Sequence, residues 1–343
     1  MDVRVAGANE HRRWDEYVSR FGGDARYHRW KWKEIFARAF RLRTHYLLAE
    51  RGGSVCGALP LVRQANLLTG VFWTSLPFVN YGGILADDDH AAAALRDEAK
   101  RLVGETRAAY AELRSIPACD QPLPASNRKI RAVLDLPCDP DQLWKSFRAK
   151  LRSQIRRPMK EGITISVGRD ELLEDFYRIV SLKWRQFGSP IYRKRAFETI
   201  ATTLPEETTI LRAELDGKPI GACWLYRFQD SSEIIWAATL RQYDRLSANM
   251  LLYWEALKIS IEQGCRRFDF GRSTRDCGTH RFKAQWNTEI EDLPWHYVLG
   301  RATEVPDSAL GGRWANGLRI AWRRAPLFAT RLFGQALARR VPL

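Results

Sequence analysis

Two charged side chains near one apolar, strand-like segment could do chemistry on an acyl group. Residues 268–286 have the sequence FDFGRSTRDCGTHRFKAQW and include Asp269 and Lys283. A positioned ammonium stabilises the oxyanion that forms when an amine attacks a carbonyl, most strongly where aromatic walls exclude water. Asp269 is a candidate general base for that amine, with a structural ion pair to Arg272 or Arg241 as the alternative. The pattern favours acyl transfer, although a strand followed by a solvated basic helix start would look similar.

The residues that flank the lysine are compatible with the same chemistry. Arg281 and Phe282 precede Lys283 directly, so Arg281, with Arg272, could assist it or bind a phosphate, and Phe282 could exclude water. His280 titrates near neutrality, but a single loop histidine is usually solvated. The segment therefore supplies a cationic and partly aromatic candidate site.

A second set of charges recurs every four residues. Arg148, Arg152, Arg156 and Lys160 would share one face of a helix and could meet the phosphates of an anionic substrate. Pro158 is expected to kink or end this helix before Lys160. A solvated helix face between two domains is the alternative interpretation.

Glycines mark two further candidate binding segments. Asn80 and Tyr81 precede a Gly-Gly pair, which would let the backbone approach a ligand closely; a plain turn with a hydrogen-bonded tyrosine is the alternative. Tyr192 follows a Gly-Ser-Pro sequence after a predicted helix. Asn249 and Ser247 lie at the start of another predicted helix, where either side chain could act as its cap.

Composition indicates a folded, basic protein. The 343 residues are 45% hydrophobic, enough for two domains of ordinary size, and the formal charge is +15. This charge favours an anionic partner such as nucleic acid, a phosphate-bearing substrate or an anionic bilayer. Residues 66–86 carry no charge, but their glycines and Pro77 predict two buried strands and a turn instead of a membrane span.

Several other kinds of site lack their sequence patterns. The six cysteines contain no CxxC pair, which is typical of reduced thiols in a cytoplasmic protein, and the first residues form no apolar leader. The six histidines show no metal-ligand spacing with cysteines or carboxylates. We find no GxSxG, P-loop or GxGxxG motif, so we expect no metal and no tightly bound cofactor.

The chain contains an internal repeat. LLAERGGSVCGALPL at 47–61 aligns without a gap with LRAELDGKPIGACWL at 211–225, and each copy predicts a strand, a tight turn and a strand. Residues 95–115 then match 253–273 as a helix followed by a short strand that ends in Arg-Ser. Two copies of one α/β domain are therefore predicted.

The predicted element order resembles a known fold. For the second copy we predict strand 163–167, helices 171–187 and 194–203, strands 209–215, 219–228 and 232–240, helix 248–263 and strand 266–270. This order resembles the GNAT acyltransferase fold, whose mixed sheet splays where the central strands part. Tandem copies resemble the FemAB family and its relatives with a BioF2-like acetyltransferase domain. We therefore predict α/β (α+β) tandem GNAT-like domains at 1–140 and 141–302, followed by a basic helical tail at 303–343.

Five segments in order bring the resemblance closer to one group. They are LPFVNYGGIL at 76–85, KLRSQIRRPMKEG at 150–162, ANMLLYWEALK at 248–258, FDFGRST at 268–274 and THRFKAQW at 279–286. Together they are similar to the FemAB-like proteins of bacterial PEP-CTERM/exosortase exopolysaccharide systems. The resemblance implies that Lys283 contacts the reacting carbonyl or its oxyanion. It also implies that Asn80 and Tyr81 border an acceptor cleft and that Tyr192 lies on the acceptor side.

The donor stays open between two classes that the resemblance implies. GNAT enzymes that use acyl-CoA hold its pyrophosphate on a glycine-rich turn at the start of the central helix. Here residues 245–249 contain no glycine, although Arg241 and Arg245 add positive charge. Aminoacyl-tRNA would suit the basic chain, but no long heptad-patterned insertion is present. Acyl-CoA and aminoacyl-tRNA both remain candidates.

The tail suggests a membrane surface as a further partner. Residues 311–343 mix large apolar side chains with seven arginines and no acid, which suits an anionic bilayer. Packing on the first domain is the alternative. The sequence thus predicts a cytoplasmic acyl- or aminoacyltransferase, with peripheral membrane contact, that acts on an amine of a nucleotide- or lipid-linked glycan or other envelope precursor. A non-catalytic protein that binds a polysaccharide or lipid intermediate is the rival prediction.

Overall fold

The protein is described by a computed structural model that covers residues 1–66, 69–116, 123–306 and 313–338. It is a mixed α/β structure, as predicted. The strands are β1 (Asp2–Val5), β2 (Arg43–Arg51), β3 (Ser54–Asn66), β4 (Gly70–Thr74), β5 (Leu85–Ala86), β6 (Tyr110–Leu113), β7 (Ala125–Asp135), β8 (Thr164–Gly168), β9 (Thr208–Leu215), β10 (Lys218–Phe228), β11 (Ser231–Thr239), β12 (Arg267–Thr274) and β13 (Glu289–Leu299). The helices are α1 (His11–Ser19), α2 (Trp30–Arg38), α3 (Asp89–Glu105), α4 (Pro140–Ser146), α5 (Ala149–Lys160), α6 (Leu173–Phe187), α7 (Lys194–Thr203), α8 (Ala248–Glu262), α9 (Gly278–Ala284), α10 (Arg313–Arg324) and α11 (Leu327–Ala338).

The chain divides into two compact units, each made of separate segments. The first unit contains Met1–Ile130, Asp292–Leu310 and Ala336–Leu343; the second contains Arg131–Glu291 and Gly311–Gln335. These units differ from the segments expected from the sequence because the chain returns to the first unit. His296 to Leu299 of β13 pair antiparallel with β6, which places them in the first sheet.

In the first unit the strand order is β1-β2-β3-β4-β6-β13, with β5 paired to β3. Neighbours are antiparallel except β4 and β6, which are parallel. Helix α3 buries an apolar face against this sheet, with Leu95, Ala99 and Leu102 in one core with Leu47 and Leu59. Because α3 repeats apolar residues at helical spacing, this burial is the expected outcome of its sequence.

In the second unit the order is β7-β12-β11-β10-β9-β8. Helix α8 is buried on nearly all sides and belongs to a core that also includes Leu225, Phe268 and Trp286. A helix that is apolar around its circumference is typical of such a central position. The start of α8 therefore packs in the same core as residues of β11 and β12.

The two copies contain matching hairpins, each with one β-bulge at the same aligned position. The β2–β3 turn uses Gly52 and Gly53 and the β9–β10 turn uses Asp216 and Gly217, all with positive φ. Two such residues suit the two-residue turns whose twist matches that of antiparallel strands. Each hairpin then shifts register at the same aligned place, after Glu50–Val55 in one and Glu214–Pro219 in the other. The predicted repeat is therefore confirmed at the level of backbone register.

Two predicted features of the helices are wrong or only half right. Helix α5 does not end before Lys160, because Pro158 lies inside it near its end and leaves only the Gln154 carbonyl without the usual N–H donor. For the described tail residues 313–335, which belong to the second unit, the alternative that the tail packs on the first domain is wrong. Helix α10 contacts α6 of the second unit, and Arg185 donates to the Ala325 carbonyl between the tail helices (3.3 Å). Within the described residues we find no helix long and apolar enough to span a bilayer.

Candidate active site

The second sheet opens between β11 and β12. These parallel strands are paired only from Ser231 to Glu233 and from Arg267 to Asp269, although they continue to Thr239 and Thr274. Backbone groups beyond the paired part need partners from elsewhere. This is the splayed central pair that the predicted fold requires.

A kink in β12 lies just beyond the paired part. Gly271 has φ of 72°, a left-handed conformation that a side chain would strain. Its N–H donates to Asp269 Oδ1 (2.6 Å), and its carbonyl accepts from Lys283 Nζ (2.7 Å). Lys283 also donates to the carbonyl of Arg272 (2.9 Å). Both predicted catalytic residues therefore hold the backbone of this kink.

Lys283 is a buried cation near two buried acids. It is 6% exposed, and Glu233 and Asp269, which face each other across β11 and β12, are both buried. Burial lowers the pKa of Lys283 to about 8, while the charges of Asp269 and Glu233 oppose that shift. The ammonium therefore remains mostly protonated at neutral pH, with two of its three N–H groups bound to carbonyls.

Aromatic rings surround this segment. Tyr253 stacks on Phe270 with ring centroids 5.5 Å apart and meets Phe282 edge-to-face at 4.9 Å. Trp286 and Phe270 are buried in the same cluster. Phe282 is only partly buried, so it forms the edge of the cluster that remains accessible to a ligand.

A cavity of about 430 Å³ lies at the start of α8. Its lining residues are Gln154, Lys183, Thr239, Asp244, Ser247, Ala248, Asn249, Met250, Phe282 and Gln285. Two predicted binding residues, Asn249 and Phe282, thus meet in one place. Lys283, on the same helix as Phe282, is not among the lining residues.

The start of α8 lacks the side-chain cap that we predicted. Ser247 occupies the capping position with φ of 57° and makes no side-chain capping hydrogen bond, and Asn249 lies within the helix instead of capping it. The first turn therefore presents N–H groups that no side chain caps. Lys183 Nζ lies 3.8 Å from Asp244 Oδ1 at the same cavity, so one cation stands near this helix end.

The backbone at Ser247 gives a stability prediction. A left-handed conformation costs a non-glycine residue about 1–2 kcal/mol, and more crowding is expected for a β-branched one. We expect Ser247→Gly to leave the free energy of unfolding equal or higher and Ser247→Val to lower it by about 1–2 kcal/mol. Urea unfolding measures both, and Ser153→Val on the exposed side of α5 is the control that should change little. Equal stability of all three variants would contradict the strained conformation.

The basic face of α5 borders a second cavity of about 430 Å³. Its lining residues are Ser153, Gln154, Arg156, Arg157, Lys160 and Glu161, and Gln154 lines both cavities. Arg156 lies over the ring of Trp144, 5.1 Å from its centroid. Arg152 differs from the prediction, since it donates to the carbonyls of Lys145 (3.2 Å) and Phe147 (3.0 Å) and so joins α4 to α5.

Three other predicted residues of the second unit have different environments. Tyr192 is buried among aromatic rings, with Trp184 at 5.4 Å and Phe197 at 6.0 Å, so it occupies a packing position. Arg281 is exposed on α9, and Arg272 is partly buried at the kink. None of these three lines the cavity at α8.

The glycines after Asn80 and Tyr81 approach protein instead of leaving room for a ligand. A Cβ on Gly82 would lie 2.3 Å from the Ser75 carbonyl oxygen, and one on Gly83 would lie 2.5 Å from Ser115 Oγ. Tyr81 is buried in the first unit, and Asn80 is partly buried. The predicted close backbone approach exists, but its partner is the interior of the first unit.

Several cavity residues had no distinguishing sequence signal. Lys183 and Gln154 lie on amphipathic helices, and Thr239 ends a strand. Only the packing of α5 against α8 and of α6 against β11 brings them together. Gln285 lies within the predicted 279–286 motif but was not singled out there as a site residue.

Comparisons with known proteins agree with this geometry. Residues 145–284 match the family model described as an acetyltransferase (GNAT) domain. No curated protein matches the sequence significantly. Among solved structures, FemX is similar with a TM-score of 0.66 at 16% identity, covering 87% of this chain and 97% of FemX. L-PGS from Bacillus licheniformis has a TM-score of 0.56 at 12% identity, covering 96% and 98% of the chains. A tandem GNAT protein from the clavulanic acid biosynthesis pathway has a TM-score of 0.52 at 14% identity, covering 87% and 98%. These likenesses show a GNAT-like fold.

Proposed function

We propose that this protein is an acyl- or aminoacyltransferase that binds its donor in the second unit, at the cavity at the start of α8. The carrying observation is that a cavity of about 430 Å³ opens on a helix end without a side-chain cap, beside Lys183. Such a helix end favours a phosphate because its N–H groups and its dipole both attract negative charge. Ser247 adopts the left-handed conformation that a glycine would be expected to adopt here. The absence of a glycine from residues 245–249 therefore does not argue against a phosphate site.

The donor is proposed to be phosphate-rich. The second cavity contributes Arg156, Arg157 and Lys160, and it shares Gln154 with the first. A donor that extends from the helix end along α5 would meet these cations in turn. Acyl-CoA and aminoacyl-tRNA both have this character, and neither is proposed to be held as a permanent cofactor.

The proposed reaction is attack of an amine on the donor carbonyl. A C–N bond forms, the C–S bond of a thioester or the C–O bond of an aminoacyl ester breaks, and the amine proton passes to solvent or a base. The leaving thiolate or alkoxide then takes up a proton. Lys283 has one N–H group beyond the two bound to carbonyls, and we propose that it donates to the developing oxyanion. For Asp269 the geometry favours holding the kink over acting as the base.

The acceptor is proposed to be an amine of a cell-envelope or exopolysaccharide precursor, presented on the cytoplasmic side. Five ordered motifs that resemble FemAB-like proteins of PEP-CTERM systems support this choice, as do the solved relatives FemX and L-PGS. We retain Asn80 and Tyr81 of the first unit, and separately Tyr192 of the second unit, as proposed contributors to acceptor binding. Because all three are packed, their proposed effect is through positioning.

Donor binding to purified variants tests the site. We expect acetyl-CoA or an aminoacyl-tRNA to raise the melting temperature of the protein, and Asn249→Trp to abolish that rise by filling the cavity. Lys183→Gln should weaken donor affinity about tenfold, since it removes one charged contact. Lys258→Gln is the matched control, because Lys258 lies on α8 but pairs with Glu255 of the same helix (3.0 Å). Equal affinity of all variants, or no shift with either donor, would contradict the proposal.

One observation favours a second function. Lys283 gives two hydrogen bonds to backbone carbonyls, as a purely structural lysine would. A non-catalytic protein that binds a polysaccharide or lipid intermediate could keep the fold and both cavities without turnover. The transfer rates of Lys283 variants separate the two functions.

A further inference from the structure

The C-terminal helices carry large apolar side chains on their solvent side. In α11, Phe328 is 73% exposed, Phe333 57% and Leu332 52%. Soluble proteins rarely leave such residues grouped and uncovered. The composition of the helix does not explain these exposures, because the same apolar side chains could have packed against the protein.

The inward face of α11 is the more polar one. Thr330 is buried, and Arg331 donates to Ser181 Oγ (3.0 and 2.9 Å) while its guanidinium lies over the Tyr177 ring at 5.0 Å. Gln335 accepts from the backbone N–H of Arg193 (3.3 Å). At 100° per residue, Leu327, Thr330, Arg331, Gly334 and Gln335 share the protein-facing side of the helix. The helix is therefore amphipathic with its apolar face turned away from the protein.

Helix α10 also carries exposed apolar side chains. Leu318 and Ile320 are exposed, while Trp322 Nε1 donates inward to the Ser189 carbonyl (3.1 Å). Arg323 donates to the carbonyl of Phe187 (3.5 Å), whose own ring is exposed. Exposed apolar residues thus occur on three helices of the second unit. We call this set the tail face; its members are Phe187, Leu318, Ile320, Phe328, Leu332 and Phe333.

We propose that the tail face binds the surface of an anionic lipid bilayer. The charge pattern selects this occupant, because residues 311–343 contain seven arginines and no Asp, Glu or Lys. Arg319, Arg323 and Arg324 are exposed around the apolar residues of α10. Arginines at the headgroups and apolar rings in the interface are the distribution of helices that lie in the membrane plane.

A second copy of the chain fits this surface less well. A two-fold interface brings identical patches together, so the arginines of one copy would face those of the other. No acidic residue of this segment could compensate them. An anionic bilayer offers the opposite charge and needs no complementary protein shape.

The tail face also explains the inward polar contacts. Arg331 holds α11 on α6, and Trp322 holds α10 on the segment that follows α6, through hydrogen bonds that leave the exposed apolar side chains uncovered. The apolar side chains remain free for a second contact. The tail thus attaches to the second unit by one face and to lipid by the other.

Vesicle co-sedimentation of the full chain tests the proposal. We expect binding to phosphatidylcholine vesicles that contain about 30 mol% phosphatidylglycerol, and little binding to phosphatidylcholine alone. Replacing Phe328, Leu332 and Phe333 with serine should weaken that binding on the order of 100-fold, because three buried apolar side chains are lost. Arg319→Gln with Arg324→Gln should weaken it about fivefold per arginine and reduce its salt dependence.

A matched control separates this face from general apolar exposure. Met159 and Val167 are 51% and 53% exposed elsewhere in the second unit, and their replacement with serine should leave vesicle binding unchanged. Because all the replaced side chains are exposed, folding should persist, which a melting curve checks. The single variant Phe328→Glu gives a second measurement and should also reduce binding.

Three results would overturn the proposal. They are vesicle binding that the triple serine variant retains, equal binding to neutral vesicles, and a dimer in solution that the triple variant dissociates. The third would assign the tail face to self-association. Donor binding at α8 is measured without lipid, so failure of either proposal leaves the other intact.

Discussion

Replacing Lys283 with methionine should lower the transfer rate at least 100-fold and also lower the free energy of unfolding by about 3 kcal/mol. The rate loss is of the order caused by removing one oxyanion donor (about 100- to 1000-fold). The stability loss follows because the carbonyls of Gly271 and Arg272 would lose their buried donor. Steady-state rates with the donor that shifts the melting temperature, together with urea unfolding, measure both effects.

The pH dependence of the same residue sharpens this prediction. The folded pKa of about 8 lies below the ordinary lysine value of 10.5, so the unfolded state holds the proton more tightly. Between these values the stability contribution of Lys283 should rise with pH, by about 3 kcal/mol over the whole range. The difference in free energy of unfolding between the wild type and Lys283→Met isolates this rise from the contributions of other titrating groups. A rate that needs the ammonium should fall as pH passes 8.

Lys283→Arg is the control for charge. Arginine stays protonated, so its residual rate should not fall above pH 8. A transfer rate unaffected by Lys283→Met would remove the catalytic role. A protein that binds its partner without turnover, and loses only stability in Lys283→Met, would support the non-catalytic alternative.

Replacing Arg114 with methionine should destabilise the first unit by about 3–5 kcal/mol. Arg114 is 1% exposed and donates from Nε to Glu112 Oε1 (2.7 Å), and its guanidinium lies 4.3 Å from the centroid of Trp295. Tyr297 donates to the other oxygen of Glu112 (2.9 Å). Breaking a buried pair leaves one charge uncompensated, which costs far more than the pair itself contributes.

An exposed arginine provides the comparison. Arg101 on α3 pairs with Glu98 at the surface, so Arg101→Met should change stability by less than about 1 kcal/mol. Donor binding should survive in folded Arg114→Met, because the cavity at α8 consists of residues from the second unit. Equal unfolding midpoints for the Arg114 and Arg101 variants would show that the buried pair contributes nothing unusual.

The elements of the second unit could be predicted closely from sequence. The predicted helix 248–263 and strand 209–215 differ from α8 and β9 by one residue at one end. Apolar periodicity and turn glycines decide such elements locally, and the repeat supplied an internal check. The shared bulge shows that the aligned residues adopt the same strand register. Amino-acid composition alone would not predict this agreement.

The site could be predicted only in part, because its geometry depends on contacts between distant residues. The sequence placed Lys283 and Asp269 in one motif, but it gave no sign that both bind the backbone at Gly271. In the aligned first copy Leu113 replaces Gly271, and no left-handed kink occurs there. Arg152 has the spacing of the basic face, yet it donates to carbonyls in and just after α4, which helical spacing cannot reveal.

The segmented first unit has a consequence for how the protein is made. Tyr297 and Glu112 are 185 residues apart in sequence, and their contact closes the first sheet only after the whole of Arg131–Glu291 has been synthesised. A chain that emerges from its N-terminus can therefore complete most of the second unit before the last strand of the first arrives. Until then the edge of β6 is open, and closing so long a loop is slow. The N-terminal half, although translated first, is expected to finish folding last.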